Sequence, residues 1–132
     1  MRIIVDVIPH NEQRYETCGD WFWEGETLYI KVSKMSDWRR EFLIAWHELF
    51  ECMWSKQNGV TQEAVDAFDM KFLADQKKGD HPDEEEPGDN PNCPCYIGHQ
   101  LGVAFEQLAC IELKEDWIKY NEEVDSLCRD EK

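Results

Sequence analysis

The chain has 132 residues, enough for one domain with a hydrophobic core of its own. With 29 acidic and 14 basic residues its formal net charge is −15, which excludes a basic surface for nucleic acid or anionic lipid. Basic partners, bound cations and imitation of nucleic acid all remain compatible with this charge. No stretch approaches the ~20 apolar residues of a membrane helix, and residues 2–8 are too short for the apolar part of a signal peptide.

The six cysteines permit disulfides, because their number is even. Disulfides persist in oxidising compartments, however, and no export signal is visible in the sequence. We therefore expect mostly reduced thiols and a cytoplasmic location.

The first quarter of the chain predicts a small β-sheet. Residues 2–8 are rich in Ile and Val and predict a strand that is buried on both faces. Residues 21–23 and 27–32 flank Glu24-Gly25-Glu26 and predict a hairpin. In the second strand of this hairpin, alternation places three apolar side chains on one face: Leu28, Ile30 and Val32.

Two helices are predicted to follow the hairpin. The first runs from about Asp37 to Gln57, with Ser33 or Ser36 as a candidate N-cap, and ends at Asn58-Gly59. The second begins after Thr61, a further N-cap residue, and ends before Gly79.

Two more helices are predicted towards the C-terminus. One covers residues 96–113 and carries a helically spaced apolar set: Leu101, Ala104, Phe105, Leu108 and Ile111. The other covers residues 115–127 and is amphipathic.

These elements predict a single domain over residues 1–132. Its fold class is α+β, with a small N-terminal sheet of two or three strands packed on three or four helices. Residues 79–94 form an acidic loop rich in proline and glycine, too poor in apolar residues to pack by itself. Residues 128–132 are predicted to form a frayed tail.

The apolar segment Phe42–Trp54 carries ionisable residues in the middle of the first predicted helix. His47 and Glu51 are one helical turn apart on the same face, and Glu48 follows His47 directly. This HExxE arrangement differs by one residue from the HExxH motif of zinc hydrolases. Burying such charged groups is costly unless a partner or a metal ion compensates them.

The third predicted helix supplies further ligand candidates. His99 and Glu106 are seven residues apart and share a helix face. His47, Glu51 and His99 with one water would give the open coordination of catalytic zinc, and Glu106 is either a fourth ligand or a partner that holds His99. Two histidines favour Zn²⁺ or another divalent transition metal over Mg²⁺. Glu48 is the predicted general base, because it adjoins the first ligand.

Less specific interpretations stand beside this one. His47 could be a hydrogen-bonded core histidine with the glutamates on a solvated stripe, but the apolar residues around it leave little room for such a stripe. Cys93-Pro94-Cys95 could bind metal or form a redox pair, although ordinary loop cysteines fit the spacing better. Asp66 and Asp69 could contact the metal region, but water is the simpler expectation.

The order of these elements resembles that of zincin-like metallopeptidases. In that family an edge strand lies beside the HExxH helix, and a later helix donates the third ligand. Glu51 departs from this pattern because it replaces the second histidine. A carboxylate can still bind Zn²⁺, but it lowers the net charge of the site and makes the bound water less acidic.

The chain also resembles a group of small proteins of tailed bacteriophages and prophages. The resemblance is carried by GDW at Gly19–Trp21, HELFE at His47–Glu51, VDAFDM at Val65–Met70, EPGDNP at Glu86–Pro91, and the segment from Cys95 to His99. It implies a metal-centred site bordered by the EPGD loop, and a phage protein that acts in the cytoplasm of the host cell.

The predicted function is metal-dependent hydrolysis of a peptide or another amide, in the manner of a metallopeptidase. An alternative enzyme class is a helical nucleotide pyrophosphohydrolase, which places Mg²⁺ on carboxylate clusters. A non-enzymatic alternative is an acidic phage protein that occupies the nucleic-acid groove of a host protein and holds only a structural metal. The expected partner is thus a peptide or protein substrate or a host protein, and neither nucleic acid nor a membrane.

Overall fold

The computed structural model describes residues 1–129, which form a three-stranded sheet and four α-helices. The predicted α+β fold with an N-terminal sheet is confirmed. Of the predicted tail, Cys128 and Arg129 belong to the last helix, and residues 130–132 lie outside the described residues. The elements are β1 (Arg2–Ile8), β2 (Gly19–Glu24), β3 (Thr27–Ser33), α1 (Trp38–Gln57), α2 (Gln62–Lys77), α3 (Tyr96–Glu112) and α4 (Trp117–Arg129), with short 3₁₀ turns at His10–Glu12 and Pro87–Asp89.

The sheet has the strand order β1-β3-β2. β2 and β3 form the predicted antiparallel hairpin, whose turn needs Gly25 because its φ is +60°. β1 runs parallel to β3. The three apolar side chains predicted to share one face of β3 are fully buried, and α1 packs over β3 and β2: Leu28, Ile30 and Val32.

The prediction that β1 is buried on both faces is wrong. β1 is an edge strand, and its apolar row is 41–47% exposed: Ile3, Val5 and Val7. The register pairs Val5 with Ile30, so this row lies on the same face as the buried residues of β3. The exposure of the row follows because α1 packs mainly against β2 and β3.

Helix α1 begins at a different cap from those expected. Asp37 is the N-cap and accepts a hydrogen bond from the backbone N–H of Arg39 (2.9 Å). Ser36 instead donates its hydroxyl hydrogen to Glu123 of α4 (2.6 Å). The N-cap Thr61 of α2 is as predicted, since its hydroxyl accepts from the N–H of Ala64 (3.1 Å).

Helices α1 and α3 pack side by side and antiparallel. Arg39, near the start of α1, donates to the carbonyl of Leu113 after the end of α3, whereas Trp54 near the end of α1 lies against Gly98 near the start of α3. The close approach of the two helices also requires glycine at position 102, because a Cβ on Gly102 would lie 2.9 Å from Nδ1 of His47. No helix among residues 1–129 combines the length and the apolar character needed to cross a membrane.

The apolar set of α3 lies on its outer face. Ala104 is exposed, and so are the four large side chains of the set: Leu101, Phe105, Leu108 and Ile111. The buried residues are Gly98, His99, Gly102, Glu106 and Cys110. Small and polar residues take the inner face because α3 approaches α1 closely and contributes to a polar centre between the helices.

The sheet register predicts that replacing isoleucine by alanine lowers the free energy of unfolding by different amounts in β3 and in β1. Ile30→Ala removes a fully buried side chain and is expected to lower the free energy of unfolding by about 2–4 kcal/mol. Ile3→Ala, on the same face of the sheet but 41% exposed, is the matched control and should cost less than about 1 kcal/mol. Urea denaturation measures the unfolding free energy of both variants. Equal losses would contradict the burial of the β3 side chains beneath α1.

Candidate metal centre

Three of the predicted ligands meet between α1 and α3. The distances are 3.1 Å between His47 Nε2 and Glu51 Oε2, 3.0 Å between His47 Nε2 and His99 Nδ1, and 3.2 Å between His99 Nδ1 and Glu51 Oε2. All three side chains are buried. Ligands about 2.0–2.1 Å from a tetrahedral zinc ion stand roughly 3.3 Å from one another, so the three atoms are spaced as such ligands are.

The outer nitrogen of each imidazole ring faces carboxylates. Nδ1 of His47 contacts Glu106, while Nε2 of His99 lies 3.2 Å from Asp89 Oδ1 and 3.4 Å from Glu86 Oε2. When these outer nitrogens donate their hydrogens to the carboxylates, the inner nitrogens present lone pairs towards Glu51. Two lone pairs and a carboxylate oxygen repel at this distance unless a cation lies between them. The donor set therefore fits a metal ion.

The pKa values describe a site that attracts positive charge. Burial lowers the pKa of His47, but Glu106 and Glu51 outweigh burial and raise it well above its usual value. The pKa of His99 is likewise raised because Asp89 and Glu51 outweigh burial. Burial raises the pKa of the Glu51 carboxyl, but hydrogen bonds from both histidines outweigh it and hold that pKa below its usual range. Protons or a metal cation can supply the positive charge.

Glu106 lies outside the group of three ligand atoms. The sequence predicts it as a fourth ligand or as a partner that holds His99. It contacts instead the outer nitrogen of His47, and its other oxygen accepts a hydrogen bond from the Tyr120 hydroxyl (2.6 Å). In this position Glu106 orients His47, and Tyr120 of α4 fixes Glu106.

Glu48, the predicted general base, faces a cavity beside the three ligands. The cavity has a volume of about 150 Å³, and Glu48, Glu51, His47 and His99 all contribute to its wall. Within residues 1–129 no group donates a hydrogen bond to the Glu48 carboxylate. Burial raises the pKa of Glu48 well above its usual value. Gly19 of β2 leaves the space for this side chain, because a Cβ there would lie 2.6 Å from Glu48 Oε1.

Strand β2 also positions Glu51. The indole N–H of Trp21 donates to Glu51 Oε1 (3.3 Å), which leaves Oε2 to face the two histidines. Trp21 is buried, and its strand is the edge of the sheet next to α1. The GDW segment therefore contributes both the space for Glu48 and a hydrogen bond to Glu51.

Asp66 and Asp69 line the cavity, whereas the sequence favoured contact with water. Asp69 accepts a hydrogen bond from Tyr15 (3.1 Å), and burial, followed by the charge of Glu51, raises the pKa of Asp69 to about 7. Arg14 joins Asp66 to the buried Asp20. A sequence signal for Asp69 did exist, because helical spacing places it between the buried Val65 and Phe72.

The Cys93-Pro94-Cys95 segment directly precedes α3, and Cys95 lines the cavity. Both cysteines are buried, and their Sγ atoms lie 2.8 Å apart. The carbonyl of Cys95 accepts a hydrogen bond from the backbone N–H of His99 (2.8 Å). The preceding turn also shapes the site, because Gly88 packs directly on the ring of His99 and leaves no space for a Cβ. The EPGD loop thus borders the three ligands.

No protein-family model, curated protein or solved structure matches this chain. The resemblances to zincin-like metallopeptidases and to phage proteins stay predictions.

Asp69 predicts a pH dependence of stability in the metal-free protein. Its pKa is raised from 3.8 to about 7, so its stabilising contribution is complete below the unfolded pKa and is lost as the pH rises through the folded pKa. Asp69→Asn removes this titration. Between about pH 5 and pH 8, the wild type should lose roughly 2 kcal/mol more unfolding free energy than Asp69→Asn. Asp80→Asn, at an exposed position, is the control, and urea denaturation in the presence of a chelator measures all three proteins.

Proposed function

We propose that the protein is a zinc-dependent hydrolase of a peptide or another amide, with His47, Glu51 and His99 as the metal ligands. The observation that carries this proposal is the convergence of three ligand atoms, mutually 3.0–3.2 Å apart, at the wall of a cavity. Structural zinc sites are closed by four protein ligands, whereas catalytic sites combine three with an open position. Three ligands beside a cavity correspond to the arrangement of a catalytic site.

A zinc ion held by His47, Glu51 and His99 would supply a bound water whose pKa is lowered towards ~7, and so a nucleophile at neutral pH. Glu48 would take and hold the proton of that water, because its carboxylate has no competing donor within residues 1–129 and faces the same cavity. The same carboxyl group would then be placed to deliver the proton to the leaving amine. Glu106 and Trp21 keep His47 and Glu51 in position during these steps.

The non-enzymatic alternative rests on the net charge of −15, which suits an acidic protein that competes with nucleic acid for a host protein. The cavity and the unpaired Glu48 favour the hydrolase, because a purely structural metal needs neither. A cytoplasmic location, in the host cell if a phage encodes the chain, remains part of the proposal. It is supported by six free thiols.

Elemental analysis of protein purified without an affinity-tag metal tests the metal site. We expect about one zinc per wild-type chain, and almost none in His47→Ala, because that variant loses one of three ligands. His81→Ala is the matched control, since His81 stacks on Phe72 and is not among the three ligands. A folded wild type that is metal-free and fails to bind added zinc would contradict the proposal.

A second variant separates catalysis from metal binding. Glu48→Gln keeps the size of the side chain and all three ligands, so its zinc content should equal that of the wild type. Its rate of cleavage of a fluorogenic peptide library should fall by about 10²-fold or more, the usual contribution of a general base. If wild type and Glu48→Gln cleave equally, Glu48 is not the base. If zinc is bound and the wild type cleaves no peptide or amide, the binding-protein alternative gains.

A further inference from the structure

The outer surface of the helix pair is apolar and uncovered. On α1, Phe42 and Trp46 are one turn apart, and their rings stack at 6.3 Å between centroids. Exposed apolar residues also follow one side of α3: Leu101, Phe105, Leu108 and Ile111. Phe50 of α1 contacts Phe105 of α3, with ring centroids 4.8 Å apart, so the two rows adjoin. These six exposed residues, with Trp38 at the start of α1, are called the outer face.

The size of the outer face is that of one half of a protein–protein interface. Its seven side chains are between 38% and 70% exposed. Together they expose the equivalent of about three and a half large side chains, or roughly 700 Å² at about 200 Å² each. A stable interface buries about 800 Å² on each partner, and a contiguous apolar patch on a monomer rarely exceeds a few hundred Å².

The outer face is apolar on a strongly acidic chain. Its seven side chains carry no charge, although the protein has 29 acidic residues, and the exposed Glu112 follows Leu108 by one turn on the same side of α3. A basic partner would be attracted to the acidic surfaces rather than to these apolar side chains. A second copy of the chain presents the same apolar rows, so pairing them buries apolar area on both copies.

We propose that two copies of this chain associate through the outer faces of α1 and α3 as a closed two-fold dimer. A two-fold axis makes one self-complementary patch sufficient for both partners, and the four helices then form one packed layer. The three metal ligands are buried residues of α1 and α3 and are not among the seven side chains of the outer face, so the contact covers none of them.

Sedimentation equilibrium at protein concentrations up to on the order of 100 µM tests this proposal. The wild type should have twice the chain mass of 15.7 kDa. Leu108→Lys and Trp46→Lys should each raise the dimer dissociation constant at least tenfold. Lysine reduces the net negative charge of each copy, so a weaker dimer cannot be attributed to a stronger repulsion between the net charges of the two copies. Circular dichroism reports whether each variant keeps its fold, and zinc content reports whether it keeps the proposed metal site.

Two further variants locate the contact. Met70→Lys replaces an exposed apolar residue of α2, outside the outer face, and should leave the dissociation constant unchanged. Val5→Lys replaces the centre of the exposed β1 row and should also leave it unchanged. The proposal is overturned by a monomeric wild type, by open-ended association, by a dimer that both outer-face variants preserve, or by one that only Val5→Lys dissociates.

Discussion

The antiparallel contact between α1 and α3 is the interaction on which the candidate site depends. It brings two ligands from one helix and one from the other to within 3.2 Å of each other. The approach is close because glycine faces the imidazole ring of His47 at Gly102. A larger residue there would separate the helices and the ligands together. The packing of the helix pair and the formation of the site are therefore one event.

The polar centre between these helices imposes requirements on the elements around it. Each buried ligand has a partner from another element: Glu106 and Tyr120 behind His47, Trp21 behind Glu51, and Asp89 beside His99. Burying so many ionisable groups is tolerable only when their charges and hydrogen bonds compensate one another. The sheet, the EPGD loop and α4 thus all contribute hydrogen-bonding partners, and the metal ion that we propose would complete the charge balance.

The use of the inner faces for polar chemistry explains the unusual surface of the molecule. Gly98, His99, Gly102 and Glu106 occupy the side of α3 that would normally carry large apolar residues. The large apolar residues of that helix therefore lie outside, beside those of α1. A large apolar patch that is left exposed on a folded protein marks a site of interaction. The site satisfies the inner face, and in our proposal a second copy of the chain satisfies the outer one.

The sequence by itself determined the elements and the ligand candidates, because both depend on local spacing. Alternation placed Leu28, Ile30 and Val32 on one face, Thr61 marked a helix start, and four-residue spacing joined His47 to Glu51. Tertiary structure decided what local spacing cannot contain. It placed Glu106 behind His47, turned Asp69 into the cavity, and left the apolar rows of β1 and α3 exposed. Periodicity shows which residues share a face, but only the packing of distant elements determines which face is covered.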